Sequence, residues 1–270
     1  MKGLKIAIIV ILAGIMCFCG AKLVLIDRDL SEASGKYEDL AARVTTPKPE
    51  RSPGFEDTAQ SVTDTAGQEE LDARRVRAEL QETYGFLPER NPDYVGWLSI
   101  DGTVIDYPVV QTPKDPNHYL YLDFDGEYSV SGIPFMDSEC GVYPASDNTI
   151  IYAHNMKNGS MFGSLKLYSD EKYYEEHKYI TFNTMYEYGT YEIIAVFRSS
   201  VDGDENGFRY YEWTEFKDEA EFDSYISSIS AMALYDTGVT AEYGDRLLTL
   251  STCSSHTDQG RFAVLARKIG

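Results

Sequence analysis

Cys253, His154 and Arg261 are the residues of this chain whose types and settings suit covalent chemistry. Cys253 closes the apolar, β-prone run Arg246-Leu-Leu-Thr-Leu-Ser-Thr-Cys253, and eight positions later Arg261 leads into a second such run, Phe262-Ala-Val-Leu265. If the two runs form neighbouring strands, a thiol and a guanidinium stand at their facing tips. A thiolate is a nucleophile for acyl transfer, and a cationic fork beside it offers paired N–H donors to a developing oxyanion. A cysteine nucleophile also needs a proton partner, and the run Asn148-Thr-Ile-Ile-Tyr-Ala-His154 ends another strand-like segment in a histidine.

Each of these residues has a plainer reading. A free cysteine is more often a small buried hydrophobe, but Thr249, Ser251, Thr252, Ser254 and Ser255 surround Cys253 with polar groups where strand gives way to turn. That setting argues for exposure, and neighbouring cations would raise the thiolate population. Of the other histidines, His118, His177 and His256, the last competes for the role of base, being three residues after Cys253. A mobile turn holds a base poorly, and positioning carries much of catalysis, so His154 is the expected partner. Arg261 alone would be a solvated residue at a strand start; adjacency of the last two strands gives it a function.

The elements that must bring these residues together are mostly short strands. Strand signals cover residues 95–100, 103–110, 132–136, 149–154, 179–183, 190–200, 245–253 and 262–268, with Asp101-Gly102 as a turn signal joining the first two. Short helical turns are expected over 164–168 and 170–177. A longer helix over 217–232 carries Phe222, Tyr225, Ile226 and Ile229 at helical spacing. Short strands with few helices imply a mainly β fold, a closed or nearly closed mixed barrel with one helix inserted before the cysteine strand.

The 270 residues hold one sizeable domain plus appendages. Residues 1–27 read as a basic tip, with Lys2 and Lys5, followed by an apolar run over 6–26 just long enough for a hydrocarbon core of roughly 30 Å. Acids after the run, beginning with Asp27 and Asp29, fit a retained signal anchor with its N-terminus inside and the rest outside. A cleaved signal peptide is the competing reading, with Cys19-Gly-Ala21 as its weak cleavage site. Residues 28–68 are polar and proline-bearing, a stalk in which 31–44 is a candidate helix. From residue 69 an amphipathic helix, with Leu71, Val76, Leu80 and Tyr84 at helical spacing, enters the compact domain 69–270.

A net charge of −20 and a pI of about 4.5 exclude a nucleic-acid partner, which would require clustered Lys and Arg. Two of the four cysteines, Cys17 and Cys19, fall in the apolar run. No Cys or His spacing suits zinc, and no cofactor motif occurs. A Cys140–Cys253 disulfide would silence the nucleophile, but a domain of this size has no need of it. On these residues alone, a secreted Cys-His endopeptidase or peptidoglycan hydrolase and a non-enzymatic stalked adhesin or sensor both remain open.

Several motifs together resemble the sortases, cysteine transpeptidases of the outer face of Gram-positive membranes. The resemblance rests on the Thr-Leu-Ser-Thr-Cys253 run with its trailing Arg261, the Ile-Tyr-Ala-His154-Asn motif, and the order His, Cys, Arg. Asn91-Pro-Asp-Tyr-Val-Gly-Trp97, Asp106-Tyr-Pro-Val-Val-Gln111, Asn117-His-Tyr-Leu120, Gly132-Ile-Pro-Phe-Met-Asp137 and Gly159-Ser-Met-Phe162 look like the class B branch. One position departs from the family's usual glycine before the histidine: it is Ala153. The resemblance implies a closed eight-stranded sortase barrel with an N-terminal helix and an inserted helix. It implies that Cys253 attacks a sorting signal near a client protein's C-terminus after a threonine, that His154 protonates the leaving amine and that Arg261 steadies the oxyanion. A peptidoglycan amine then resolves the thioacyl-enzyme. Asn117, Leu120 and Ser251 match positions near the family's substrate groove. A pilin-polymerising sortase using a client lysine is a further alternative, against which no lid with an Asp-Pro-aromatic motif precedes the barrel.

Overall fold

In the computed structural model, which describes residues 2–44, 65–203, 207–254 and 259–270, eight strands close into a barrel. They are β1 (Tyr94–Ser99), β2 (Asp106–Val110), β3 (Phe135–Met136), β4 (Asn148–Tyr152), β5 (Tyr179–Thr184), β6 (Thr190–Ser200), β7 (Leu247–Ser254) and β8 (Gly260–Lys268). Around the barrel the order is β1-β2-β3-β4-β7-β8-β6-β5. Two junctions, β2 with β3 and β4 with β7, are parallel, and the others are antiparallel. The mixed, closed barrel expected from the strand pattern is therefore present.

Strands β7 and β8 are buried on both faces, which is why they read as continuous apolar runs rather than alternating ones. Leu248, Leu250, Phe262, Val264 and Ala266 join the main core. Leu247, Ala263 and Leu265 join a second cluster beneath the inserted helix α5 (Glu219–Met232), which contributes Phe222, Tyr225 and Ile229. Asp218 caps that helix by accepting from the Glu221 N–H at 2.9 Å, so its start falls two residues after the expected one.

The N-terminal helix α1 (Lys2–Arg43) departs from the expected organisation. Residues 28–44 are not a free polar stalk: Ala33, Tyr37, Leu40 and Val44 are buried against the barrel, and Arg43 stacks over the Phe86 ring. Those four apolar positions recur every three or four residues, so an otherwise polar helix presents one stripe to the core. Of the rest of the expected stalk, 45–64 lies outside the described residues and 65–68 belongs to the helix α2 (Thr65–Tyr84). Among the described residues no helix is long and apolar enough to cross a membrane. In α1, Ile11, Leu12, Ile15, Met16 and Phe18 are exposed.

The entrance helix α2 (Thr65–Tyr84) buries Leu80 and Tyr84, whereas Leu71, expected on the packed face, is exposed. Tyr84 stacks on Trp97 with ring centroids 6.3 Å apart and accepts from Asn183 Nδ2 at 3.0 Å, joining α2 to β1 and β5. The short helices α3 (Phe86–Arg90) and α4 (Glu171–Glu176) complete the surface, α4 capped by Asp170.

Candidate active site

Three strand ends meet at one edge of the barrel. Cys253 lies directly opposite Arg261 in the antiparallel pair of β7 and β8, and Ser251 lies opposite Tyr152 in the parallel pair of β7 and β4. Side chains alternate along a strand, so Tyr152 and His154 share the face that carries Ser251 and Cys253, and Arg261 joins them through its register with Cys253. Six buried residues precede Cys253 on β7, and Cys253 is exposed. The buried part of β7 thus ends at Thr252, one residue before the sulfur.

His154, Cys253 and Arg261 line one cleft of about 510 Å³, together with Asn117, Leu120 and Ser251. All six residues singled out in the sequence therefore come to one place. Cys253 carries no disulfide and neither does Cys140, which is buried. Cys140 sits between the Asn148 carbonyl and the Ile150 N–H, and burial pushes its thiol up to about 12. His256 lies outside the described residues. Among the described residues no group of three or more His, Cys, Asp or Glu side chains is placed to hold a metal ion.

The neighbours of each residue define what it can do. His154 Nε2 is 2.8 Å from the Leu120 carbonyl. A carbonyl oxygen only accepts, so Nε2 carries the hydrogen, and Nδ1 is the ring nitrogen left to exchange a proton. The Tyr121 ring lies 5.4 Å from the imidazole and walls its flank. Two hydrogen bonds lock the tips of β4 and β7 together: Thr252 Oγ1 donates to the Ala153 carbonyl at 2.7 Å, and Asn155 Nδ2 donates to the Cys253 carbonyl at 2.7 Å. Ala153 is itself buried and its N–H reaches the Ser251 carbonyl at 3.3 Å, so the methyl in place of the family's glycine is accommodated.

Arg261 turns Nη1 back onto the Gly260 and Gln259 carbonyls at 3.1 and 3.4 Å, which fixes the plane of the guanidinium, and among the described residues Nη2 and Nε have no acceptor. The Ser251 hydroxyl is engaged by Tyr210 OH at 2.6 Å, so its direct part in holding a ligand is limited by that bond. Burial pushes the Tyr210 phenol up to about 12, against the Ser251 hydrogen bond and the Arg261 charge, and it remains a neutral donor or acceptor at the cleft floor. Sequence reasoning did not single out Tyr210, Tyr211, Tyr152 or Asp137 as lining residues. Tyr152 was legible through its alternation with His154; Tyr210 and Tyr211 arrive from the long β6–β7 connection, where only their aromatic character marks them.

The comparisons with known proteins agree with this geometry. Residues 98–269 match the family model described as the sortase domain. Sortase B of Listeria monocytogenes is 33% identical over 196 residues, 72% of this chain and 77% of that one. The crystal structure of sortase B from Clostridium perfringens superposes with a TM-score of 0.62 at 33% identity, over 69% of this chain and 99% of that chain. A Staphylococcus aureus sortase B in complex with its substrate gives 0.63 at 26% identity, over 75% and 97%. A barrel whose exposed cysteine faces an arginine across two strands, with a histidine at the end of the third, is thus joined by sequence and fold to one group of cysteine transpeptidases, and the chain belongs to the sortase family, in its class B branch.

Proposed function

We propose that Cys253 is the nucleophile, His154 the proton carrier and Arg261 the oxyanion donor of a transpeptidase that moves a client protein onto a cell-wall amine. The observation that carries this reading is the pairing of Cys253 with Arg261 across β7 and β8 in the cleft that also holds His154. The Cys253 thiolate attacks the carbonyl carbon after a threonine in the client's C-terminal sorting signal, and Arg261 donates to the oxygen as negative charge develops. The C–N bond breaks, His154 gives its Nδ1 proton to the departing amine, and a thioester remains. A peptidoglycan amine then attacks the thioester, returns a proton to His154 and leaves as an amide, with Cys253 restored as thiolate. Asn117 and Leu120, at the cleft wall, and Ser251, at its floor, are the proposed contacts to the sorting signal.

The chain's N-terminal run over 6–26, with lysines before it and acids after it, supports a single-pass anchor with the N-terminus in the cytoplasm and the catalytic domain outside. Sortases are cell-surface enzymes, and tethering would keep client and lipid-linked acceptor at high local concentration. Fractionation with protease protection tests this part separately: a soluble cytoplasmic chain would remove the anchor but not the chemistry.

The catalytic reading is tested by product analysis of the full chain on a peptide library, with and without an added amine. Cleavage after threonine, an amide product when amine is present and loss of both in Cys253→Ala are expected. Cleavage that persists in Cys253→Ala removes the nucleophile assignment, and hydrolysis alone in the presence of amine favours a peptidase.

A further inference from the structure

The Leu120 carbonyl that holds His154 belongs to a loop that lies outside the barrel strands. That loop, 118–133, begins in a 3-10 turn (His118–Tyr121) and is closed on itself by the bridge between Leu122 and Tyr128 and by the Ser129 N–H to Tyr121 carbonyl bond at 3.0 Å. Asn91, between α3 and β1, donates to Tyr119 OH at 2.9 Å and to the Phe124 carbonyl at 2.8 Å, and α1 holds the loop from the other side. Asp29 Oδ2 accepts from the Val130 N–H at 2.9 Å, Lys36 pairs with the buried Asp123 carboxylate, and Tyr37 OH donates to the Gly132 carbonyl at 3.1 Å. Gly132 in turn lies under the turn that carries Leu120. It has φ of +56°, and a Cβ there would stand 2.5 Å from the Leu120 carbonyl oxygen and 2.8 Å from that of Tyr119. Only a residue without a side chain fits this approach.

We infer that α1, through Tyr37 and Gly132, is a positioning element for His154: it fixes the Leu120 carbonyl that holds the imidazole with its hydrogen on Nε2 and its Nδ1 free in the cleft. The chain of contacts is continuous, from Tyr37 OH to Gly132, from Gly132 to the Leu120 carbonyl, and from that carbonyl to His154 Nε2 at 2.8 Å. A backbone carbonyl is a suitable holder because it accepts in every protonation state of the ring. It therefore keeps the imidazole oriented both before and after proton transfer, and its bond strengthens when the ring is cationic. The segment read from sequence as a stalk thus acquires a part in the chemistry. This inference rests on the assignment of His154 as proton carrier.

The test uses the full chain and three variants. Tyr37→Phe keeps the ring that packs edge-on against Tyr107 at 5.5 Å and removes only the hydroxyl. Gly132→Ala pushes directly on the Leu120 carbonyl. Gly189→Ala is the control: a Cβ there meets the Phe182 carbonyl at 2.5 Å, the same close approach to a backbone oxygen, at the β5–β6 turn away from the cleft. Expected are a fall in kcat of about threefold to fivefold in Tyr37→Phe and about tenfold or more in Gly132→Ala, at KM within about twofold, since small misplacement of a catalytic group costs turnover before binding. Nitrogen-15 spectra of the His154 ring should show the Nε2–H form predominant in the native chain and lost in part in both variants, but unchanged in Gly189→Ala. Native-like kcat per folded molecule with an unchanged tautomer in Tyr37→Phe overturns the inference, and so does a native ring with its hydrogen on Nδ1. If Gly132→Ala does not fold, Tyr37→Phe decides alone. The ring spectra need no turnover, so failure here is separable from failure of the His154 assignment, which would show as retained activity in His154→Ala.

Discussion

Replacement of Arg261 tests the oxyanion role most directly. Its guanidinium is anchored on one side by Nη1 to the Gly260 and Gln259 carbonyls, and Cys253 is its partner across the ladder. Directly opposed residues have Cβ atoms about 4.5–5.5 Å apart, so the Nη2 and Nε edge stands within a side chain's reach of an oxygen on carbon bonded to the sulfur. Loss of one preorganised oxyanion donor costs about a hundredfold to a thousandfold in kcat, or ~2.7–4 kcal/mol, in a water-excluded site. Cys253 is exposed and Arg261 half-buried, so solvent screens part of that interaction and the lower end applies. Arg261→Ala should therefore lower kcat about a hundredfold with KM for the sorting peptide within about threefold. Arg261→Lys should recover about a tenth of native turnover, because an ammonium supplies charge but cannot hold the backbone and the substrate oxygen in one plane. Steady-state cleavage of a quenched fluorogenic peptide, with intact-mass detection of the thioacyl-enzyme, separates the terms. A kcat for Arg261→Ala within about threefold of native, or a loss confined to KM, would falsify the role.

Other consequences follow from particular contacts. At pH 8 iodoacetamide should alkylate Cys253 and spare Cys140, whose buried thiol is pushed up to about 12 and carries almost no thiolate there; equal modification in peptide maps would contradict the burial argument. Asn155→Ala removes the donor to the Cys253 carbonyl, and should lower stability by about 0.5–1.5 kcal/mol and kcat by a few-fold; urea midpoints and kcat unchanged from native would show that the lock between β4 and β7 lies elsewhere. Arg90 grips Asp125 through two bonds of 2.6 Å and holds its carboxyl below the usual carboxylate range. A depressed carboxylate stabilises fully above its unfolded value of about 3.9 and loses that contribution as pH falls through the folded value. Arg90→Ala should cost no more than about 1 kcal/mol at neutral pH, with the gap from native closing in acid; a gap constant with pH would mean lost packing against Phe124 instead.

The cleft was legible in the sequence because its residues sit at strand tips, where an apolar run with period two or none meets polar turn residues. Cys253, His154 and Arg261 all carry that signature, and the same rule brought β4, β6, β7 and β8 close to their observed bounds. It failed where backbone rather than side chains decides. The apolar stretch 132–136 pairs only over Phe135–Met136, since Gly132 is left-handed and Pro134 offers a carbonyl, to Val110 N–H, but no donor. The acceptor for His154 was invisible for a related reason: it is a main-chain carbonyl, and any residue at 120 would supply one. The docking of α1 had a signal, the spacing of Ala33, Tyr37, Leu40 and Val44, but a charged composition and neighbouring prolines outweighed it. Tyr210 reaches Ser251 from 41 positions away in the chain, a separation that carries no local pattern.

The order His, Cys, Arg along the chain follows from strand direction. Parallel strands end at the same edge, so a histidine just past the end of β4 and a cysteine near the end of β7 are brought side by side whatever lies between them. A parallel pair cannot be joined by a hairpin, and the chain between residues 152 and 247 supplies the crossover, building β5, β6 and α5 on its way. Strand β8 then runs antiparallel to β7, so its beginning, not its end, falls at that edge, and Arg261 near its start meets Cys253. The crossover also brings α5 and Tyr210 against the face of β7 that carries Leu247 and Ser251, and the sulfur is the first exposed side chain along that strand. A tight lock is required at such a junction, because β4 and β7 share no turn to hold their register. The bonds from Thr252 to the Ala153 carbonyl and from Asn155 to the Cys253 carbonyl supply it on either side of His154, and a methyl at position 153 leaves both intact.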